Sequence, residues 1–311
     1  MPPTGIANAG NTCWMNSVLQ CLLAVDELAD SLAAVPEPPP VDEDDDHDAH
    51  LDWRIAREVS RLVQAMRQGK AKAYSRSEAR RLKRLLSQAN PGLRLNQQND
   101  ADEGARTLLH ALHAYQAAEH AENTDSTTVM RLFSYEVRQT SECHRCGAEE
   151  IDAETEVALG PMTLPLQAGD TNLAKLVMGH FASSRPEGLR CDNCGAVGER
   201  VVHREMARTP RVALYSIGRF RYDENGGARK NAAVVAYPDA ILQYGQLRAE
   251  CMHSGSYGGG HYTANVRVCA GDDDEGRWFS FSDDSIADGR HPSDRARARD
   301  VYMLLYVAAS A

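Results

Sequence analysis

The chain has 311 residues, with 34 basic against 44 acidic side chains and a net charge of −10 at pH 7. That length is ample for a large core, and the negative balance argues against general nucleic-acid binding while suiting a basic protein partner. No stretch approaches the roughly 20 apolar residues of a membrane span, and Met1-Pro2-Pro3-Thr4 lacks the basic and apolar regions of a signal peptide. The expectation is an intracellular protein, cytoplasmic or nuclear, with no membrane partner.

The first expected element is a helix over residues 13–34, opening on Cys13 behind the turn-forming run Gly5-Ile6-Ala7-Asn8-Ala9-Gly10-Asn11-Thr12. Apolar residues at positions 15, 18, 19, 22 and 23 supply its core face, with Cys21 also available to the core. Cys13 stands ahead of that face. Unpaired N–H groups and the positive dipole end at a helix N-terminus stabilise a thiolate, lowering a thiol pKa from about 8.5 toward neutrality. Cys13 is therefore a candidate nucleophile, where an isolated cysteine would read as a buried structural thiol. Next comes Pro36-Glu37-Pro38-Pro39-Pro40 and an acidic run from Asp42 to Asp46. The stretch 36–50 reads as a solvated excursion with no catalytic role.

Leu51, Ile55, Val59, Leu62, Val63 and Met66 mark a second, amphipathic helix. A third is expected over 77–89, basic on its surface and closed by Asn90-Pro91-Gly92, and a fourth over 100–120. Asp100 and Glu103 fall in the first turn of the fourth, where acids complement the helix dipole.

After Thr128 the period changes toward strands, at 132–138, 211–217, 240–253, 261–269, 277–281 and 301–307. Helices first and strands later indicate an α+β fold. Within this half, Cys143-His144-Arg145-Cys146-Gly147 and Cys191-Asp192-Asn193-Cys194-Gly195 form two Cys-x-x-Cys knuckles, each followed by a glycine that lets the backbone turn around a metal. Four thiolates at this spacing predict one structural Zn2+ held by Cys143, Cys146, Cys191 and Cys194. A redox pair lacks the expected βαβ context, and disulfides do not suit the compartment. Cys21, Cys251 and Cys269 remain as lone residues.

A glycine run, Gly258-Gly259-Gly260, delivers His261 onto a strand. A thiolate nucleophile needs an imidazole within hydrogen-bond reach, itself oriented by a third group. His261 is the candidate; its competitor His253 reads as a structural residue near a strand end.

The segment from Gly5 to Gln20 resembles the cysteine box of the ubiquitin-specific proteases. Once His261 is added, with Gln97-Gln98-Asn99-Asp100-Ala101-Asp102-Glu103, the knuckles, the strand ending in Arg219-Phe220 and the strand Val301 to Tyr306, the resemblance covers nearly the whole chain. It implies a papain-like cysteine protease fold with a helical thumb, an antiparallel β palm and zinc-bearing β fingers. One catalytic domain, 1–311, would divide into thumb (1–127), fingers (128–210) and palm (211–311). The implied activity is hydrolysis of the bond after the C-terminal glycine of ubiquitin through a thioester, by a monomeric chain acting on ubiquitin and ubiquitinated proteins.

The resemblance also assigns roles. Asn8 matches the family's oxyanion position, though from spacing alone it is as readily a turn residue in the left-handed region. Ser282 follows Phe281 where the family has Asp or Asn accepting the Nδ1 proton of the histidine, and Asp283 beside it is placed to share that role. Without the resemblance this cluster is a turn. Asp100, Glu103, Gly260 and Tyr262 become substrate contacts. Gly104-Ala105 departs from the usual Phe-Leu. Two alternatives stay open: a catalytically weak pseudoprotease that binds ubiquitin, suggested by Ser282 and Gly104-Ala105, and a protease for another ubiquitin-like modifier.

Overall fold

The computed structural model describes residues 1–37, 50–69, 74–119, 127–151, 155–222, 227–256, 258–269, 276–289 and 298–308. The acidic run at 42–46 lies outside them, as do His47, His120 and His291. The N-terminal part is helical: α1 (Cys13–Leu22), α2 (Asp26–Ser31), α3 (Leu51–Arg67), α4 (Arg76–Ala89), α5 (Ala101–Glu119) and α6 (Thr128–Phe133). The single helix expected over 13–34 is thus two. Val25 is extended, with φ −89° and ψ 102°, and Asp26 and Glu27 occupy the first turn of a new helix, where the dipole favours acids. Leu23, Val25, Leu28 and Leu32 are buried on both sides of the break, so apolar spacing alone did not reveal it. Helix α4 carries a reciprocal capping box: Ser75 accepts from the Glu78 N–H, and Glu78 reaches back to the Ser75 N–H. Its surface is basic as expected, with Arg76, Arg80 and Arg84 exposed, whereas Lys83 is buried.

Strands follow as β1 (Ser134–Cys143), β2 (Glu149–Ile151), β3 (Glu156–Leu159), β4 (Met162–Pro165) and β5 (Thr171–Asn172), then α7 (Leu173–His180). Next are β6 (Arg200–Arg208), β7 (Val212–Gly218), β8 (Phe220–Tyr222), β9 (Ala228–Lys230), β10 (Val235–Ala236) and β11 (Ala240–Ile241). The chain closes with β12 (Gly245–Ser256), β13 (Gly259–Val268), β14 (Arg277–Ser282), β15 (Ser285–Asp288) and β16 (Val301–Val307). Two expectations move. The strand placed at 132–138 begins only at Ser134, because Thr127 caps α6 by accepting the Met130 N–H at 3.1 Å. The strand placed at 240–253 is two, hinged at Gly245, whose φ of +79° excludes most side chains.

The larger sheet runs β15-β14-β13-β12-β16-β7-β4, with β11 also on β12. Its pairs are antiparallel except β4 with β7. Strand β7 is buried on both faces: Val212 and Leu214 point to the helices, whereas Ala213, Tyr215 and Ile217 join a second core with Leu173 and Leu176 of α7. A smaller antiparallel sheet is built on β1, which pairs β2, β3 and β6. Buried Arg219 ties the end of β7 to later segments by donating to the carbonyls of Asn231, Ala233, Ala298 and Val301 at 2.6–3.0 Å.

Helix α1 lies between the helices and the large sheet, packed on α5 and on β12, β13 and β14, and every residue in it is buried. This packing accounts for Gly104. A Cβ there would stand 2.3 Å from Cζ3 of Trp14, the residue after Cys13, so the helices approach only over a bare backbone. Gly104→Ala should therefore destabilise despite its helix propensity. Overpacking of this kind costs about 1–3 kcal/mol, a fall in Tm of several degrees by thermal unfolding; an unchanged or raised Tm would contradict the assigned contact.

Candidate active site and cysteine cluster

The turn Gly10-Asn11 ahead of α1 is left-handed, with φ of +96° and +50°. The left-handed residue in this box is Asn11 and not Asn8. The turn is tied internally: Gly10 N–H donates to Asn8 Oδ1 at 2.8 Å, and Ala9 N–H to Thr12 Oγ1 at 3.0 Å. Cys13 follows at the first helical position, 2 % exposed. Burial pushes its thiol above the usual range, and the nearby Asp283 carboxylate pushes the same way; backbone N–H groups of Tyr262 and Trp14 oppose them. The expected lowering by the helix terminus is present but outweighed, because the site is dry and faces an anion.

The Tyr262 N–H reaches Cys13 because β13 runs beside α1, and this brings the preceding His261 to the same place. His261 Nε2 lies 2.9 Å from Ser282 Oγ at the end of β14. The contact expected at Nδ1 is thus made at Nε2. Asp283 faces elsewhere. Its Oδ2 accepts from Asn8 Nδ2 at 2.9 Å, its Oδ1 from Asn16 Nδ2 at 2.7 Å, and its carbonyl from the Ile6 N–H at 3.0 Å. A left-handed φ of +53° at Asp283 makes the turn that aims this carboxylate at the cysteine box. Ser282 and Asp283 therefore divide their contacts: the hydroxyl meets the imidazole, and the carboxylate clamps the two asparagines. Gly5 allows the close approach, since a Cβ there would stand 2.6 Å from the Asp284 backbone.

A cleft of about 880 Å³ opens beside this site between the start of α5 and the β12–β13 hairpin, and Asp100, Glu103 and Tyr262 all line it. Asp100 Oδ1 accepts the Asp102 N–H at 2.7 Å, serving the helix N-terminus, and Tyr302 OH lies 2.6 Å from both carboxylate oxygens. Glu103 accepts from Asn90 Nδ2 at 3.1 Å. Gly260 is held by Gln98, whose Oε1 accepts its N–H at 3.0 Å and whose Nε2 donates to its carbonyl. His253, paired across from Tyr262, is buried among the rings of Phe220, Tyr262 and Tyr302, and burial drives its pKa down to about 4. It is a neutral packing residue: a Cβ on Gly260 would sit 2.1 Å from its Nε2, so the glycine is needed for the strands to close.

Sequence reasoning missed Asn16, Gln98 and Lys83. Asn16 sits one turn after Cys13, so its place beside the nucleophile was readable from helical spacing. Gln98 lay within a box already singled out. Lys83 left no local signal, since one lysine in a basic helix looks like the others.

At the far end of the small sheet, the Sγ atoms of Cys143, Cys146, Cys191 and Cys194 all lie within 4.8 Å of one another. Cys143–Cys194 and Cys146–Cys191 are each 3.8 Å apart, the edge of a tetrahedron whose metal–sulfur bonds are about 2.3 Å. Each knuckle closes with the same backbone bond, Gly147 N–H to Cys143 O in one and Gly195 N–H to Cys191 O in the other, both 2.8 Å. Their glycines have φ of +69° and +70°. Asn193 Nδ2 donates to Cys146 Sγ at 3.4 Å and buried Arg200 to Cys191 Sγ at 3.8 Å, as suits sulfurs carrying negative charge. The donor set can hold one metal ion.

The family model of the ubiquitin carboxyl-terminal hydrolases matches residues 4–306. Among curated relatives, ubiquitin carboxyl-terminal hydrolase 25 of Arabidopsis thaliana is 23 % identical over 92 % of this chain and 44 % of its own length. Ubiquitin carboxyl-terminal hydrolase 2 of Bos taurus is 25 % identical, over 98 % of this chain and 55 % of its own. The chain thus spans about half the length of these relatives. Among solved structures, a chain of the SAGA Ubp8/Sgf11/Sus1/Sgf73 DUB module bound to ubiquitin aldehyde has a TM-score of 0.74 at 16 % identity, covering 99 % of this chain and 70 % of that one. That likeness establishes a shared α+β fold.

The electrostatic argument at Cys13 is open to measurement. Asp283→Asn removes the carboxylate charge that disfavours the thiolate, so iodoacetamide should alkylate Cys13 at lower pH than in the wild type. An unmoved alkylation profile would mean that this charge does not reach the thiol.

Proposed function

The chain belongs to the ubiquitin carboxyl-terminal hydrolase family, and from that premise we propose that it is a deubiquitinating cysteine protease that cuts the (iso)peptide bond after the C-terminal glycine of ubiquitin. The observation that carries the reading is the meeting of the Cys13 helix terminus with the His261 strand, through the Tyr262 N–H, beside a cleft lined by Asp100 and Glu103. In this reading Cys13 Sγ gives its proton to His261 and bonds to the glycine carbonyl carbon. The C–N bond then breaks, and the lysine amine leaves with a proton from His261. Water hydrolyses the thioester with His261 as base. Ser282 Oγ fixes the ring. Of the two amide protons on Asn8, one is engaged by Asp283, and the second, with the Cys13 N–H, faces the developing oxyanion. Asp283 then acts through Asn8 rather than through the histidine.

Asp100, Glu103, Gly260 and Tyr262 are the residues assigned to the substrate tail, and ubiquitin and its conjugates are the proposed partners. Residues 1–127, 128–210 and 211–311 serve as thumb, fingers and palm of one catalytic domain. The cysteine cluster is assigned to zinc, whose thiolate preference and tetrahedral geometry suit Cys143, Cys146, Cys191 and Cys194. Among the described residues no helix is long and apolar enough to cross a membrane.

A ubiquitin C-terminal electrophilic probe should label Cys13 rapidly, and Cys13→Ser and His261→Ala should each abolish hydrolysis of a ubiquitin–fluorophore substrate. Binding of the probe without labelling would favour a pseudoprotease, and labelling only by another modifier's probe would move the substrate. Asn8→Ala should lower kcat by about 10²–10³-fold with little change in KM, the effect typical of one lost oxyanion donor. Equal kinetics in Asn8→Ala and wild type would remove Asn8 from that role.

The zinc assignment has its own readout. Elemental analysis of protein purified without chelator should give one zinc per chain, and chelation should loosen hydrogen-exchange protection in β1 and β6 before α1. Protein free of stoichiometric zinc would refute it.

A further inference from the structure

Lys83 on α4 is 3 % exposed, yet its ammonium meets no carboxylate within ion-pair distance among the described residues. Lysine is almost never fully buried unpaired, because removing an ammonium from water is costly. Its hydrogen bonds go instead to three backbone carbonyls: Asn11 at 3.0 Å, Gly10 at 3.1 Å and Gln97 at 3.4 Å. Those carbonyls belong to both sides of the candidate site. Gly10 and Asn11 form the left-handed turn that delivers Cys13, and that turn directs successive carbonyls inward onto the ammonium. Gln97 precedes Gln98, whose side chain grips Gly260 through its N–H and its carbonyl, one residue before His261. A single buried cation thus links the nucleophile's turn to the histidine's strand.

We propose that Lys83 is a positioning residue for the catalytic pair, tying the turn before Cys13 to the Gln97–Gln98 segment that holds the His261 strand while its buried charge favours the Cys13 thiolate. The inference rests on the reading of Cys13 as nucleophile given above. Three neutral carbonyls satisfy the ammonium's three N–H donors without cancelling its charge, so the field extends to what lies beyond them. Burial lowers the Lys83 pKa, and the charge of Cys13 pulls it back up. By reciprocity the ammonium stabilises the thiolate. The other titratable groups facing Cys13 do not supply a fixed cation. Asp283, in the β14–β15 turn, opposes the thiolate, and Cys251 on β12 and Tyr262 on β13 are buried groups pushed upward. His261 on β13 is the second basic group at the site. The strained Asn11 conformation fits the same account, since a non-glycine residue at φ +50° persists where surrounding bonds hold it.

The experiment uses the full chain with its metal in place and two readouts: the pH midpoint of Cys13 alkylation by iodoacetamide, located by peptide mass spectrometry, and kcat and KM on a ubiquitin–fluorophore substrate. In Lys83→Met, of similar volume but without charge, the midpoint should rise and kcat should fall about tenfold or more with KM nearly constant. Lys83→Arg, which keeps the charge, should hold the midpoint near that of the wild type. Should the Met variant not fold, Lys83→Gln takes its place with the same expected shifts, since its amide can still donate to the carbonyls. A wild-type midpoint in the folded uncharged variant overturns the proposal, and so does an Arg variant shifted as far as the Met variant. If the wild type turns over no ubiquitin substrate while the midpoint shift persists, the substrate reading fails and the role of Lys83 stands.

Discussion

Helix α1 is buried on every side, and that constraint organises the rest of the molecule. Helices cover it on one side and the large sheet on the other, so its N-terminus falls at the seam between them. Cys13 occupies that terminus. The seam is the place where residues from β13, from the β14–β15 turn and from α4 can gather around that terminus without any of them being near it in sequence. Gly104 and Gly260 mark how tight the convergence is: one gives way to the Trp14 ring, the other to the His253 ring.

A buried seam excludes water, and this has two opposed consequences for a thiol. Desolvation disfavours the thiolate, and the Asp283 carboxylate adds to that cost. The same low dielectric strengthens every fixed donor and charge aimed at the sulfur. The turn before Cys13 is accordingly dense in specific bonds, from Gly10 to Asn8, from Asn8 and Asn16 to Asp283, and from Lys83 to Gly10 and Asn11. Asp283 is placed to hold the geometry of the asparagines even though its charge is unfavourable to the thiolate. The two effects of one side chain have opposite signs, and the hydrogen-bond geometry is what favours its presence.

The small sheet on β1 obeys different physics. Its strands are largely half-exposed, with few apolar side chains fully buried along β1, β3 and β6. Such a sheet has little core of its own, and the four-cysteine cluster stands at its far end. The large sheet, by contrast, has core on both faces.

Much of this was legible in the sequence because its signals are local. A cysteine behind a Gly/Asn turn, paired knuckles with a following glycine, and a histidine after a glycine run are each spelled out within a few residues, as are the long amphipathic helices and the apolar strand Val301–Val307, whose bounds the structure reproduces. The break at Val25, the division of labour between Ser282 and Asp283, the ring nitrogen that meets Ser282, and the burial of Lys83 were decided only in three dimensions. The order of helices and strands, the chemistry of the candidate nucleophile and the metal-binding donor set follow from residue type and spacing. Which carboxylate faces which partner, and what burial does to the thiol, depend on segments hundreds of residues apart packing around α1, and no local pattern encodes the field at a point that distant parts of the chain create together.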